Sequence, residues 1–257
     1  MVSHELFERY ETALGVTADL AARDISQAVE SVAHLAPEVA AESLAIAYAA
    51  VCERYGAVAA QAALEFYIAQ RAASNAPGAF DPMPYAPPKS AFFAQDVAEV
   101  LQGSGGDVGK LADALTGRAN RRVLETADET IVRNSAMDPA RPRWALIPHA
   151  GACGWCRLQA SLGFSFTKKQ RVVRHDNCRC TVACDFGRDP SVEGYDSAQY
   201  GDQYSQARQA VEGDAESEWA SMSPEERAKY KRGKRTGVYD VYLRNRIVQE
   251  MNRKAAE

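Results

Sequence analysis

Cysteine is scarce over most of this chain, and so are the features that would narrow its function quickly. Of 257 residues six are cysteine, and five of those fall between residues 153 and 184. No apolar run approaches the roughly 20 residues a membrane span requires, so no membrane partner is expected. The opening stretch MVSHELFERYETAL places acids where a signal peptide needs a basic region and an apolar core. The expectation is therefore a protein made and kept in the cytoplasm. There, clustered cysteines are more often metal ligands or catalytic groups than disulfides. The P-loop, H-E-x-x-H, G-x-S-x-G and G-x-G-x-x-G motifs are all absent, and no internal repeat is evident. With 46% hydrophobic and 25% charged residues the composition excludes disordered and fibrous classes, and the length suits one large or two smaller domains.

Charge is present in both signs but segregated. Residues 1–103 carry 13 acids against 5 bases, whereas residues 141–180 carry 8 bases against the single acid Asp176. A second basic block, SPEERAKYKRGKR at 223–235, holds six bases and two acids. Such fields suit nucleic acid or an acidic protein surface. They equally suit a solvated face lying near the acidic segment of the same chain.

The first 74 residues read as helix. Ile25, Ala28, Val29, Val32, Leu35 and Ala36 recur at helical spacing with Thr17 as their N-cap, and Pro37 fits the first turn of a second helix. That helix carries Leu44, Val51, Tyr55, Val58, Ala62 and Phe66 on its apolar side, with Gly56 a point of bending or breakage and Cys52 a buried small apolar residue. Alanine-rich faces of this kind predict a helical hairpin or small bundle. Residues 75–91 hold five of the eleven prolines and form an extended connector, with Phe80, Met83 and Tyr85 apolar enough to dock. Helix resumes near Phe92 and again behind Asp107 as N-cap, reaching about Ala136. Three short strands follow, at RPRWALIPHA, FSFTK and CRCTVACDF, with a helical turn at RLQASLG between the first two. The tail returns to helix, including one that starts at Pro224 behind Ser223.

The expected fold class is α+β, mainly α, with helical N- and C-terminal segments around a small zinc-stapled three-strand module. The expected divisions are 1–74, 75–91, 92–138, 139–188 and 189–257.

The spacing of the cluster is C-x2-C-x18-H-x2-C-x-C, from Cys153 and Cys156 to His175, Cys178 and Cys180. Two short turns, each offering two soft or borderline ligands, suit tetrahedral zinc. Five candidates compete for four places. Cys153, Cys156, His175 and Cys178 are favoured, Cys180 is the first substitute, and Cys184 is more remote. A module of this size with eight basic side chains is short of apolar surface, and one structural zinc per chain would offset that shortage. The alternative is a set of reduced, buried cysteines without metal.

Catalytic readings fit less well. A thioredoxin-type C-x-x-C opens a helix in a parallel α/β context, whereas strands and loops are expected here. A zinc deaminase needs H-x-E, and His149 is followed by Ala150 and Gly151. No catalytic residue is predicted and the protein is not expected to be an enzyme. His4 and His34 read as surface residues. Trp155 either stacks on a base or, more often, packs over the turn that carries it. The chain shows no recognition-helix pattern.

ACGWCRLQASLGFSFTKK followed by RHDNCRCTV resembles the Mu F-like minor capsid, or head morphogenesis, proteins of tailed bacteriophages, closely over residues 144–186. The resemblance implies a structural minor head protein at the portal and inner capsid, acting in head assembly or in DNA packaging or ejection. Its partners would be the portal or major capsid protein, with packaged DNA a further candidate. Its location would be the capsid interior of the virion, after assembly in the host cytoplasm. The family's ligand roles map onto Cys153, Cys156, His175, Cys178 and Cys180. A reading from another class is a zinc-stabilised nucleic-acid-binding protein or nuclease.

Overall fold

The computed structural model of the chain describes residues 1–86, 90–105, 107–167, 172–230 and 237–256. Pro87 and Pro88 of the connector, Lys168, Lys169 and Arg171 of the basic segment, and 231–235 of the second basic block lie outside the described residues.

The protein is mainly helical, with elements in the order α1 (His4–Val32), α2 (Pro37–Ala73), α3 (Ser90–Ser104), α4 (Val108–Met137), β1 (Arg143–Ile147), α5 (Gly154–Ala160), β2 (Thr181–Asp185), α6 (Ser197–Ser221), α7 (Pro224–Arg227) and α8 (Val238–Ala255). It divides into two compact units. One comprises Met1–Ala145 and Phe164–Gly194, and the other Leu146–Gly163 and Tyr195–Glu257. The segment 139–188 contributes to both.

In the larger unit, α1 is helical from His4 and starts well ahead of Thr17, the expected N-cap. Ser3 is its N-cap, accepting from the Leu6 N–H, and the stripe Phe7, Tyr10, Leu14, Ala18, Ala21, Ile25, Val29 is buried throughout. Thr17 is not a cap but an interior residue, whose hydroxyl donates back to the Ala13 carbonyl at 2.7 Å. A Thr that satisfies itself this way need not end a helix. In α2 Pro37 occupies the first turn as expected, and the helix passes Gly56 unbroken, with Thr126 donating to the Gly56 carbonyl at 2.7 Å. Its buried side is Cys52, Tyr55, Ala59, Ala63, Phe66 and Tyr67. Val58, expected on that side, is 50% exposed.

Helix α4 begins behind Asp107, whose carboxylate accepts from the Lys110 N–H at 3.0 Å. It packs on α1, α2 and α3, and Val97, Leu111, Leu115 and Ala119 join Ile25, Val29, Leu44 and Tyr48 in one core. Its buried polar residues have a specific use. Asn134 exchanges hydrogen bonds with the Met83 backbone (3.0 and 2.8 Å), and the Thr130 hydroxyl accepts from the Tyr85 N–H at 3.0 Å. The extended connector therefore does dock, as expected, through its backbone and through Tyr85, whose ring centroid lies 4.0 Å from the Arg133 guanidinium, whereas Met83 is 69% exposed. Phe80 lies near Tyr67, ring centroids 6.3 Å apart.

The expected three-strand module is corrected to a two-stranded sheet of β1 and β2. Within FSFTK the described residues make only an isolated bridge, Phe166 with Trp144, whose rings stack at 4.4 Å. One aromatic pair and one backbone hydrogen bond (Trp144 N–H to Phe166 O, 3.0 Å) hold it there without a ladder.

The smaller unit is built on α6 and α8, with α5 packed against both. Ala207, Val211, Ile247 and Met251 form its core, with Leu158, Tyr204 and Leu243 against them. Asp196 caps α6, and Ser223 with Glu226 makes a reciprocal capping box that starts α7 at Pro224. No helix among the described residues is long and apolar enough to cross a membrane.

Candidate metal centre

The C-x-x-C turn belongs to the smaller unit, and the sequence reading of it needs correcting. Cys153 is the N-cap of α5, in extended conformation, with its carbonyl accepting from the Arg157 N–H at 3.0 Å. Cys156 is buried in the first turn. The pair thus opens a helix, one turn earlier than RLQASLG implied. That removes one objection to thiol redox chemistry. The other stands, since a two-stranded sheet is the only sheet among the described residues and no parallel βαβ unit surrounds the pair.

Gly154 explains why the helix starts there. Its N–H donates to Asn252 Oδ1 at 2.5 Å, and a Cβ on it would meet the Val248 carbonyl oxygen at 2.5 Å and Met251 Cβ at 2.9 Å. Only glycine lets the turn sit this close to α8. At the other end Gly163 adopts φ +56°, where L side chains are strained, and the Tyr195 hydroxyl donates to the Ala160 carbonyl. Trp155 is half-buried beneath the Arg244 guanidinium, 5.2 Å from its ring centroid. Its packing reading is the one the structure favours. His149 stays outside the set, its Nδ1 accepting from the Gly151 N–H at 3.0 Å.

His175, Cys178 and Cys180 belong to the larger unit, on the loop that leads into β2. Here the anchoring is ionic. Arg174 is buried and grips Asp128 of α4 with two nitrogens, Nη2 to Oδ1 at 2.8 Å and Nε to Oδ2, while its Nη1 lies 3.6 Å from Cys178 Sγ. Burial raises the Asp128 carboxyl to about 6, against the pull of the guanidinium. Burial likewise opposes the Arg174 charge, but Asp128 outweighs it and raises the arginine's pKa. Asp176 lies 3.3 Å from Arg121 and 4.0 Å from Arg118. Asn177, at φ 61°, packs on Gly117, where a Cβ would meet its side chain at 2.9 to 3.1 Å. Arg179 pairs with Asp19 of α1 and donates to the Gly15 carbonyl at 3.4 Å.

The loop geometry also orients the candidate ligands. His175 is exposed, with Nδ1 2.7 Å from the Asp176 carbonyl. In the tautomer that carries its proton on Nδ1, that atom donates to the carbonyl and leaves the Nε2 lone pair for a ligand role. Cys178 and Cys180 are buried. Cys153, Cys156, His175, Cys178 and Cys180 all supply thiol or imidazole atoms that could hold a metal ion, and this donor set fits zinc. Cys184, the remote spare, is fully buried in β2, and burial pushes its thiol well above the ordinary range. Cys52 is buried in α2 as expected, its thiol pushed up to about 12 by burial.

Asp128, Arg121, Gly117 and Asp19 escaped the sequence reading. Asp128 carried a signal, since it interrupts the apolar spacing Leu124, Ala127, Ile131 of α4. Arg174 and Arg179 belong to the basic field whose partner the sequence leaves open, and the structure pairs both with acids of the same chain.

Together these features define a mainly helical protein whose thiol-rich segment is tied into two separately packed units. A family model described as VG15 protein matches residues 1–207, and the chain belongs to that family, whose name denotes a viral gene product. No curated protein matches the chain. No solved structure matches it either.

Proposed function

We propose that this VG15-family protein is a structural minor head component of a tailed phage, bound at the portal or inner capsid and acting in head assembly or DNA packaging or ejection. The observation that carries the reading is the CGWC and HDNCRC pair, whose turns are each fastened by specific contacts of the chain's own residues. The match to a viral family supports a phage origin. In this reading the protein is a virion component and not an enzyme.

The same reading gives the chain one structural zinc, held by Cys153, Cys156, His175 and Cys178, with Cys180 the substitute ligand. A zinc held by these residues would supply structural stabilisation, worth roughly 10 kcal/mol or more of apparent free energy in small zinc-dependent folds. The chain's own residues do the positioning. Arg174 and Asp128 fix the His175–Cys178 turn on α4, and Gly154 seats the Cys153–Cys156 turn against α8.

Contacts with packaged DNA or an acidic portal surface fall to the basic residues not consumed internally. Arg174 and Arg179 are paired with acids of this chain, which supports the same-chain explanation for part of the charge segregation. The test of the role is composition of the particle. Mass spectrometry of purified heads should find the protein at low copy number, and a deletion mutant should accumulate defective or empty heads. Normal infectious particles without the protein would overturn the reading.

A further inference from the structure

The smaller unit contains a pocket of about 180 Å³ lined by Arg157 of α5, Gln203 and Gln206 of α6, and Met251 and Lys254 of α8. Its chemistry is one-sided. Arginine, lysine and two amides supply donors from three helices, Met251 supplies an apolar wall, and no carboxylate lines it. Among the described residues no acid lies within 4.0 Å of the Arg157 guanidinium. Lys254 has Glu250 at 4.0 Å, but that carboxylate is already engaged by Arg253 at 2.8 Å. The side-chain oxygen of Gln203 is buried with no hydrogen-bond partner. Turning that amide over exchanges the oxygen for its NH2 at no steric cost, which would add a further donor.

Size and donor count choose the ligand. The volume is below the roughly 300–1,000 Å³ of pockets that enclose drug-sized molecules, so a small anionic group fits and a whole nucleotide does not. A carboxylate would be satisfied by the arginine fork alone. A phosphate offers three or four oxygens, enough for guanidinium, ammonium and amide together. We propose that this pocket binds a phosphate group, either free inorganic phosphate or a phosphodiester of bound DNA. The proposal stands apart from the head-protein reading, because a pocket specific for free phosphate would leave that reading untouched.

The experiment is calorimetric titration of the full-length protein with inorganic phosphate at low salt, alongside Arg157→Gln, Lys254→Gln and the control Arg246→Gln. Arg246 lies in the same unit but pairs with Glu218 and does not line the pocket. Arg157→Gln and Lys254→Gln should each weaken phosphate binding by about tenfold or more, the loss expected for one charged hydrogen-bonding partner. Arg246→Gln should leave it unchanged. Circular dichroism checks that each variant folds, and the partly exposed Lys254 serves if Arg157→Gln does not. A second arm measures a short labelled DNA duplex. Competition by phosphate, with parallel weakening by the two pocket variants, assigns the site to phosphodiester. Phosphate binding without competition assigns it to free phosphate. No phosphate binding, or equal loss in all three variants, overturns the proposal.

Discussion

Two short turns carry the candidate ligands, and they are held by different physics. Cys153 and Cys156 sit on a helix start pressed against α8 through Gly154, where close packing and one neutral hydrogen bond to Asn252 do the fixing. His175, Cys178 and Cys180 sit on a loop tied to α4 and α1 by the pairs Arg174–Asp128, Asp176–Arg121 and Arg179–Asp19. A close-packed glycine tolerates no added atom but carries no charge to desolvate. A buried ion pair is the reverse: it tolerates joint replacement yet fails badly when halved. The first turn should therefore respond to volume and the second to charge.

Asp128→Ala should give the largest effect. It leaves the Arg174 guanidinium buried without its counter-charge, at a cost of about 3–5 kcal/mol. Urea unfolding of the larger unit should show it, and replacing Asp128 and Arg174 together by Leu and Met should recover most of the loss. If the single variant is neutral, the loop is not held by that pair.

Gly154→Ala should come next, at about 1–3 kcal/mol of overpacking. The Val248 carbonyl oxygen, 2.5 Å from the added Cβ, is backbone and cannot swing away. The loss should fall on the smaller unit, read by hydrogen exchange of α5 and α8. Gly117→Ala is the matched control for shape. Its added Cβ meets the end of the Asn177 side chain, which can turn, so the cost should stay below about 1 kcal/mol. Equal costs at the two glycines would remove the contrast between backbone and side-chain obstruction.

The smallest effect concerns Cys52, which serves neither turn. Its folded-state pKa of about 12 lies above the unfolded value near 9, so the thiol stays protonated in the folded state while the unfolded chain ionises. Its contribution is complete below pH 9 and is lost as pH rises from about 9 to 12. A Cys52→Ala variant should show a shallower fall in stability over that window, measured by denaturant midpoints.

Much of this architecture was visible in the sequence. Pro37, Asp107 and Pro224 behind Ser223 marked helix starts because the chemistry of a first helical turn is local. Thr17 misled because its hydroxyl found the Ala13 carbonyl inside the helix, which spacing does not reveal. FSFTK alternated like a strand, yet only Phe166 found a partner among the described residues. The five candidate ligands stood out by spacing. What positions them did not, because Asp128, Gly117 and Asp19 are far from them in sequence and their roles arise only when the helices pack.

Zinc content of the full-length protein, purified without chelator, is the deciding measurement, made on the wild type and on Cys156→Ser and Cys178→Ser. One zinc per chain in the wild type, lost from each variant, is the expected result. A folded wild type without metal, or a variant in either turn that keeps its full zinc, would contradict a single ion shared by the two turns.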